Sequence, residues 1–450
     1  MNPDFASYPL LEALRERRSR RVCHGMTIPD GPLAYQSNTT AVPLTEKEEA
    51  LMAFAACGIT GCATADLPYG EKSGGNIMAG LIGRTIASGD GIQTVSLVAI
   101  NDRGAFLYRR PQELGKKTVR ELLELVEQND FEAMSRLARV QICHQRPITP
   151  CEPIFNINVN RWSAHAKGTT YFLPVNEMTF MYINGLLEVL NEHTGLFILD
   201  ERANFLPAGL GKFAKSKGGH LQDNPAEGRV GTIALVERLV TEFVTVEQGM
   251  MLQNLALMAQ TLGLGGFPNF ANHDFGWFQA LGFRMQEMSA SSYLGMGILP
   301  RMLLKLLKKD SMVPLPIGLE RNGEALLRPW TPPYFKSMRE AVEAVVEHKS
   351  GKAGVFRGGS LCAWRDEDAV RSVPQVSGKA IEATIAYCEY IWKRYGRFPA
   401  HMPPVRTVLG FQAGHLDLAF YEKFYPSAVI SETIRKDAAA ARSAAAHQTI

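Results

Sequence analysis

The sequence predicts an α+β protein, and two local patterns carry that expectation. Met251, Leu255, Met258 and Leu262 recur at i, i+4, i+7 and i+11. Small residues and Leu252 fill the other sides, so a helix buried nearly all round is expected, stopped by Gly263 and Gly265. Val95 to Ile100 is an apolar run, Asn101-Asp102-Arg103-Gly104 is a turn, and Ala105 to Tyr108 returns as the second strand of a hairpin.

The other elements follow in order. Residues 8–21 read as a helix with Leu10, Leu11 and Leu14 on one side and arginines after them. Gly25, Pro29, Gly31, Pro32 and Pro43 make 22–45 a loop. Thr45 with Glu48 three residues on is a capping-box pattern, and it opens a helix through Leu51, Phe54 and Ala55. Thr118 and Asp130 each start a further helix. Phe180 to Leu190 looks helical, Leu196 to Leu199 fits a strand, and 203–231 reads as an exposed loop. Met338, Val342, Val345 and Val346 mark one late helix; Ile381, Ile385, Cys388 and Ile391 mark another. The Ala-rich residues 437–446 are expected to fray.

Composition bounds the partners. The chain has 450 residues, enough for two to four folding units at roughly 100–200 residues each. With 48 Lys and Arg against 45 Asp and Glu, no nucleic-acid partner is expected from bulk charge. Seven sparse cysteines without a CxxC argue for reduced thiols and a cytoplasmic setting. The N-terminus lacks an apolar run and soon turns Arg-rich, so no secretory leader is read there. The uncharged stretches 50–65 and 249–272 are too short or too polar to span a bilayer, so no membrane partner is expected. Cys143-His144 with Cys151 lacks a second ligand pair, and no metal is expected. No GxSxG elbow occurs, and Gly70-Glu71-Lys72-Ser73 is not a phosphate loop because Glu71 separates Gly from Lys.

Four segments carry candidate chemistry. Arg17-Arg18-Ser19-Arg20-Arg21 ends the first helix, and clustered guanidiniums beside a hydroxyl suit a phosphate. The same run also reads as a solvated basic helix end. Ser88, Asp90 and Gln93 sit in a Gly-containing turn before the hairpin, where small residues let backbone approach a flat ligand. An ordinary turn has the same composition. Gln253-Asn254-Leu255 leads into Leu262-Gly263-Leu264-Gly265-Gly266-Phe267-Pro268, which is no dinucleotide fingerprint because Pro268 replaces the third Gly. Pro314 to Gly318 is a short apolar strand trailed by Arg328.

In this order the four segments resemble the nitroreductase superfamily of FMN-dependent oxidoreductases. Arg17, Arg18, Ser19 and Arg21 match its Arg-x-Ser-x-(Arg/Lys) motif for the FMN phosphate and ribityl chain. Ser88, Asp90 and Gln93 are similar to its flavin-contacting loop, although the usual Pro and Asn pattern is missing. Gln253 to Gly265 is similar to its central-helix pattern. Pro268, Asn269 and Ala271 occupy the segment whose backbone N–H faces flavin N5, with Ala271 taken as that donor. Arg328 stands where a last basic residue meets the phosphate.

The resemblance implies an antiparallel-type sheet flanked by helices, built as a homodimer with FMN at the interface. It implies hydride transfer through flavin N5 between NAD(P)H or oxygen and a small molecule. Dehalogenation, oxygen-driven flavin fragmentation and a non-catalytic flavin binder remain alternatives on the same fold. The family is shorter, so 1–335 is expected to be the FMN-binding core, interrupted by a lid-like insertion at about 141–235. Residues 336–450 are expected as an extension wrapping the core or the partner subunit. Arg161, Trp162, Tyr171 and Phe172 in the insertion suit an aromatic or conjugated substrate, with plain core as the other reading. His401, Arg406, Gln412 and His415 are polar residues with a possible reach to a site.

Overall fold

A computed structural model describes residues 5–70, 75–150, 158–359, 361–436 and 438–439. Its centre is an antiparallel sheet of seven strands: β1 (Val95–Asn101), β2 (Gly104–Tyr108), β3 (Arg139–Cys143), β4 (Thr170–Glu177), β5 (Gly265–Asn269), β6 (Val405–Arg406) and β7 (Gly410–Gly414). The order is β5-β7-β4-β1-β2-β3, with β6 also pairing β4. Register is set by pairs such as Val98↔Leu107 across the hairpin, Val98↔Leu173, Phe172↔Phe411 and Phe267↔Gln412.

The strands β1, β2, β4 and β7 are buried along their whole length, so both sheet faces are covered. Alternation sorts their side chains between the faces. Leu97, Ala99, Phe172 and Phe411 pack against α2 (Glu46–Cys57) and α4 (Ile233–Leu262), through Leu51, Met52, Met251 and Leu255. Val98, Ile100, Tyr171 and Leu173 face the opposite way, onto Trp277, Phe278 and Leu319. Thr45 caps α2 with the expected reciprocal box to Glu48. A second apolar layer joins α3 (Thr179–Val189), α5 (Met338–Ser350) and α6 (Gly378–Tyr395) around Tyr182, Val345 and Tyr387.

The α+β class and the antiparallel sheet therefore stand. The segment boundaries do not. Residues 141–235 are not a lid, because they supply β4 at the heart of the sheet and the buried helix α3. Even the stretch read as an exposed loop buries Leu210, Ala214 and Leu221. Residues 336–450 are not only an outer arm, because β7 lies between β5 and β4. The Pro314 to Gly318 strand forms within Met312–Arg321, but it pairs with 284–289 and 324–327, outside the central sheet.

The chain leaves an apolar stripe in solvent along α4. Leu235, Leu239, Phe243, Val246 and Met250 recur on one helical side, and all are exposed. Leu10, Leu11 and Leu14 of α1 (Leu10–Glu16) are exposed as well. No helix among the described residues is long and apolar enough to cross a membrane.

Candidate functional site

The basic run and the segment after α4 meet in space. Gln260 on the last turn of α4 accepts a hydrogen bond from Arg20 at 3.1 Å. Arg20 also bridges to Gly266 as a short antiparallel pair and donates to the Val429 carbonyl. It is buried, so its role is to fasten the run against β5. Its neighbours then turn outward: Arg18, Ser19 and Arg21 are exposed and Arg17 is half-buried. The Arg21 guanidinium lies 4.6 Å over the Phe267 ring, within cation–π range. Arg21 donates to Asn160 Oδ1 at 3.2 Å, and Asn160 donates to the Phe270 carbonyl at 3.1 Å.

The chain runs on from β5 past Phe270 and Ala271 to Asn272. Ala271 is fully buried. Asn272 is 2% exposed, and neither polar atom of its amide bonds to a described residue. The next two residues, His273 and Asp274, line a cavity of about 660 Å3 with Tyr293, His401 and Arg406. The Asp274 carboxylate holds a short contact to His273 Nδ1 at 2.5 Å, and that bond raises the His273 pKa. His401 sits between Glu237, 2.9 Å from Nδ1, and Glu201, 2.8 Å from Nε2. Burial lowers the Arg406 pKa and Asp274 opposes that shift; its guanidinium makes no hydrogen bond to a described residue.

Beside β5, then, a track runs from Arg21 over Phe267, past the Asn160 bond to the Phe270 carbonyl and the buried Ala271 and Asn272, to the cavity at His273 and Asp274. Phe267 to Asp274 covers about 20 Å if extended. Such a track suits an elongated ligand with a phosphate at one end and a polar flat group at the other.

The other candidate residues lie elsewhere. Ser88 spends its hydroxyl on Glu247 of α4 and on the Gln93 backbone N–H at 2.8 Å. Burial pushes the Asp90 pKa up to about 6 against the pull of Lys349. Gln93 is buried, with its amide on the Ile82 carbonyl. Ser88 meets α4 at Glu247 and Arg20 meets it at Gln260, about 20 Å apart along the axis. One chain therefore does not close the loop onto the arginine cluster. Arg328 does not join that cluster either; it lies over Trp330 and Phe335.

The proposed substrate aromatics are corrected by the packing. Tyr171 and Phe172 are 1% and 0% exposed within β4, and Tyr171 stacks on Trp277 and donates to the Asn269 carbonyl. Trp162 packs with the cluster around Val22 and Leu416. The Arg161 side chain lies outside the described residues. Gln412 and His415 are buried in structural bonds, Gln412 to Ser163 and His415 to Glu48. Asn272 and Asn160 were not singled out in the sequence, whereas Arg406 was named there as a polar residue with reach to a site. The one sequence signal for Asn272 is its place just after the Pro268–Ala271 segment.

No protein-family model matches the chain, and no curated protein matches it. Among solved structures, it is similar to one from Ralstonia eutropha JMP134 described as "a putative nitroreductase". The identity is 12%, the TM-score 0.29, and the match covers 62% of this chain and 77% of that one. A likeness at that level carries no weight for fold or activity.

Proposed function

We propose that this chain is an FMN-dependent oxidoreductase that works as a homodimer on a small, conjugated molecule. The observation that supports the reading is the track beside β5, where Arg21 lies over Phe267, is bonded through Asn160 to the Phe270 carbonyl, and is followed by a cavity at His273 and Asp274. Arg17, Arg18, Ser19 and Arg21 would hold the phosphate, and Asn160 orients Arg21 toward it. The segment from Pro268 to Ala271 would lie along the ring, and Asn272 would satisfy its amide there. FMN supplies reversible hydride transfer when bound; the chain supplies orientation and electrostatics.

The cavity beside Asn272 would receive the substrate. Arg406 would draw an anionic group of that molecule, while the His273–Asp274 pair stands ready to hold a proton at Nε2. NAD(P)H is the proposed electron donor, with oxygen as the other partner to test. The exposed stripe on α4 supports a second copy packed across that helix, because monomers seldom leave so regular an apolar row in water. A copy placed there would bring its own Ser88–Gln93 loop toward the first copy's arginines, spanning the gap that one chain leaves open.

Titration of purified protein with FMN tests the reading. Stoichiometric uptake, followed by bleaching of the flavin band with NADPH, is expected. Failure to bind FMN at micromolar concentration sinks it. Binding without bleaching keeps the flavin site and removes the nicotinamide donor.

A further inference from the structure

A second cavity, of about 620 Å3, lies away from the β5 track, and it gathers Gln93 and Arg328. Its floor is main chain. Gly80 and Gly91 approach so closely that a Cβ on either would stand 2.2 or 2.3 Å from the other's carbonyl oxygen, and Gly91 has φ +65°. Only glycine permits that flat double layer. One wall is aromatic: Phe180 stacks on Trp330 at 4.9 Å and 21°, and Trp330 on Phe335 at 5.4 Å and 20°. Phe180 and Phe335 are buried and Trp330 is part-exposed, so a guest on this wall meets Trp330, and the flat floor favours a planar one.

Charge selects among planar guests. The Arg328 guanidinium lies 5.4 Å over Trp330 and 4.8 Å over Phe335, and no described residue gives it a hydrogen bond or a carboxylate. Lys116 also lines the cavity, at the start of the helix Lys116–Glu127, which no side chain caps. Glu347 is the sole carboxylate among the described lining residues. The balance is cationic, and the Arg328 guanidinium rests on Trp330, the ring that a flat ligand would meet.

We propose that this cavity is a separate binding site for a flat aromatic carboxylate, laid against Trp330 with its anion on Arg328. Arg328, which the family resemblance would give to the flavin, serves this ligand instead. The site does not depend on the flavin reading.

The test is a titration with 2-naphthoate and with its neutral counterpart 2-naphthalenemethanol, read by tryptophan fluorescence and calorimetry. Saturable quenching by naphthoate is expected, and Trp330→Phe should remove most of it. Arg328→Gln should weaken naphthoate about tenfold or more while leaving the alcohol unchanged. The double variant Arg17→Ala/Arg21→Ala, aimed at the flavin track, should not alter naphthoate binding. No saturable binding, equal affinity for acid and alcohol, indifference to Arg328→Gln, or quenching that survives Trp330→Phe would each overturn the proposal. Loss of naphthoate binding in the Arg17/Arg21 variant would overturn its separateness. Arg328 is exposed, so its replacement leaves the fold intact, which a thermal melt confirms.

Discussion

Arg21 covers the face of Phe267 at 4.6 Å, while its neighbour Arg20 is buried and bonded to Gln260 and the Val429 carbonyl. Adjacent arginines thus do different work, and they should separate in experiment. Arg17→Ala with Arg21→Ala should weaken FMN by at least about tenfold with little change in stability. Arg20→Ala should cost about 2–4 kcal/mol, because it strands buried acceptors. Flavin titration and chemical denaturation of both variants check the contrast. Equal effects on both readouts would remove the division of labour.

Asn272 offers a test with opposite signs. No described residue bonds its buried amide, so in flavin-free protein Asn272→Leu should stabilise by about 1 kcal/mol. The same change should lower FMN affinity. Thermal melts with and without FMN give both numbers. A loss of stability in the flavin-free state would show that the amide already has a structural job.

The α4 stripe sets the assembly. Each chain weighs 49.6 kDa, so light scattering should report about twice that for the wild type. Phe243→Glu places a charge in the middle of the stripe and should shift the mass to that of one chain. It should also weaken FMN, if both copies contribute to each site. An unchanged mass would place the interface elsewhere.

Glu48 predicts acid sensitivity. Burial by itself would raise its pKa, but the His415 bond and charge, with the Thr45 backbone bond, lower it to about 2. A carboxyl depressed in the fold stabilises above its ordinary value near 4.5, and that stabilisation is lost as pH falls toward 2. The amount is about 3 kcal/mol. Glu48→Gln should flatten the dependence of unfolding free energy on pH between about 5 and 2. An unchanged slope would mean that another group governs it.

Some of this was legible in the sequence because it is local. The Thr45–Glu48 box, the 95–108 hairpin and the helix ending at Gly263 are fixed by residues three or four positions apart. The arginine run and the polar segment after Pro268 were visible too, as types in an order. What was not legible was adjacency. Thr170–Glu177 reads as apolar whether it is lid or core, and only its pairing with Val95–Asn101 and Gly410–Gly414 decides. Arg328 follows a strand of the expected kind, but that strand joins another sheet.

By itself, then, the sequence determined the elements whose hydrogen bonds and caps close over short spans, and the kinds of group available for chemistry. The tertiary structure alone decided which of those groups share a surface. Arg21 met Phe267, and Phe180 met Trp330, because long-range strand pairing and helix packing carried them there. Those contacts join residues far apart in the chain, and no periodicity within either segment encodes its partner.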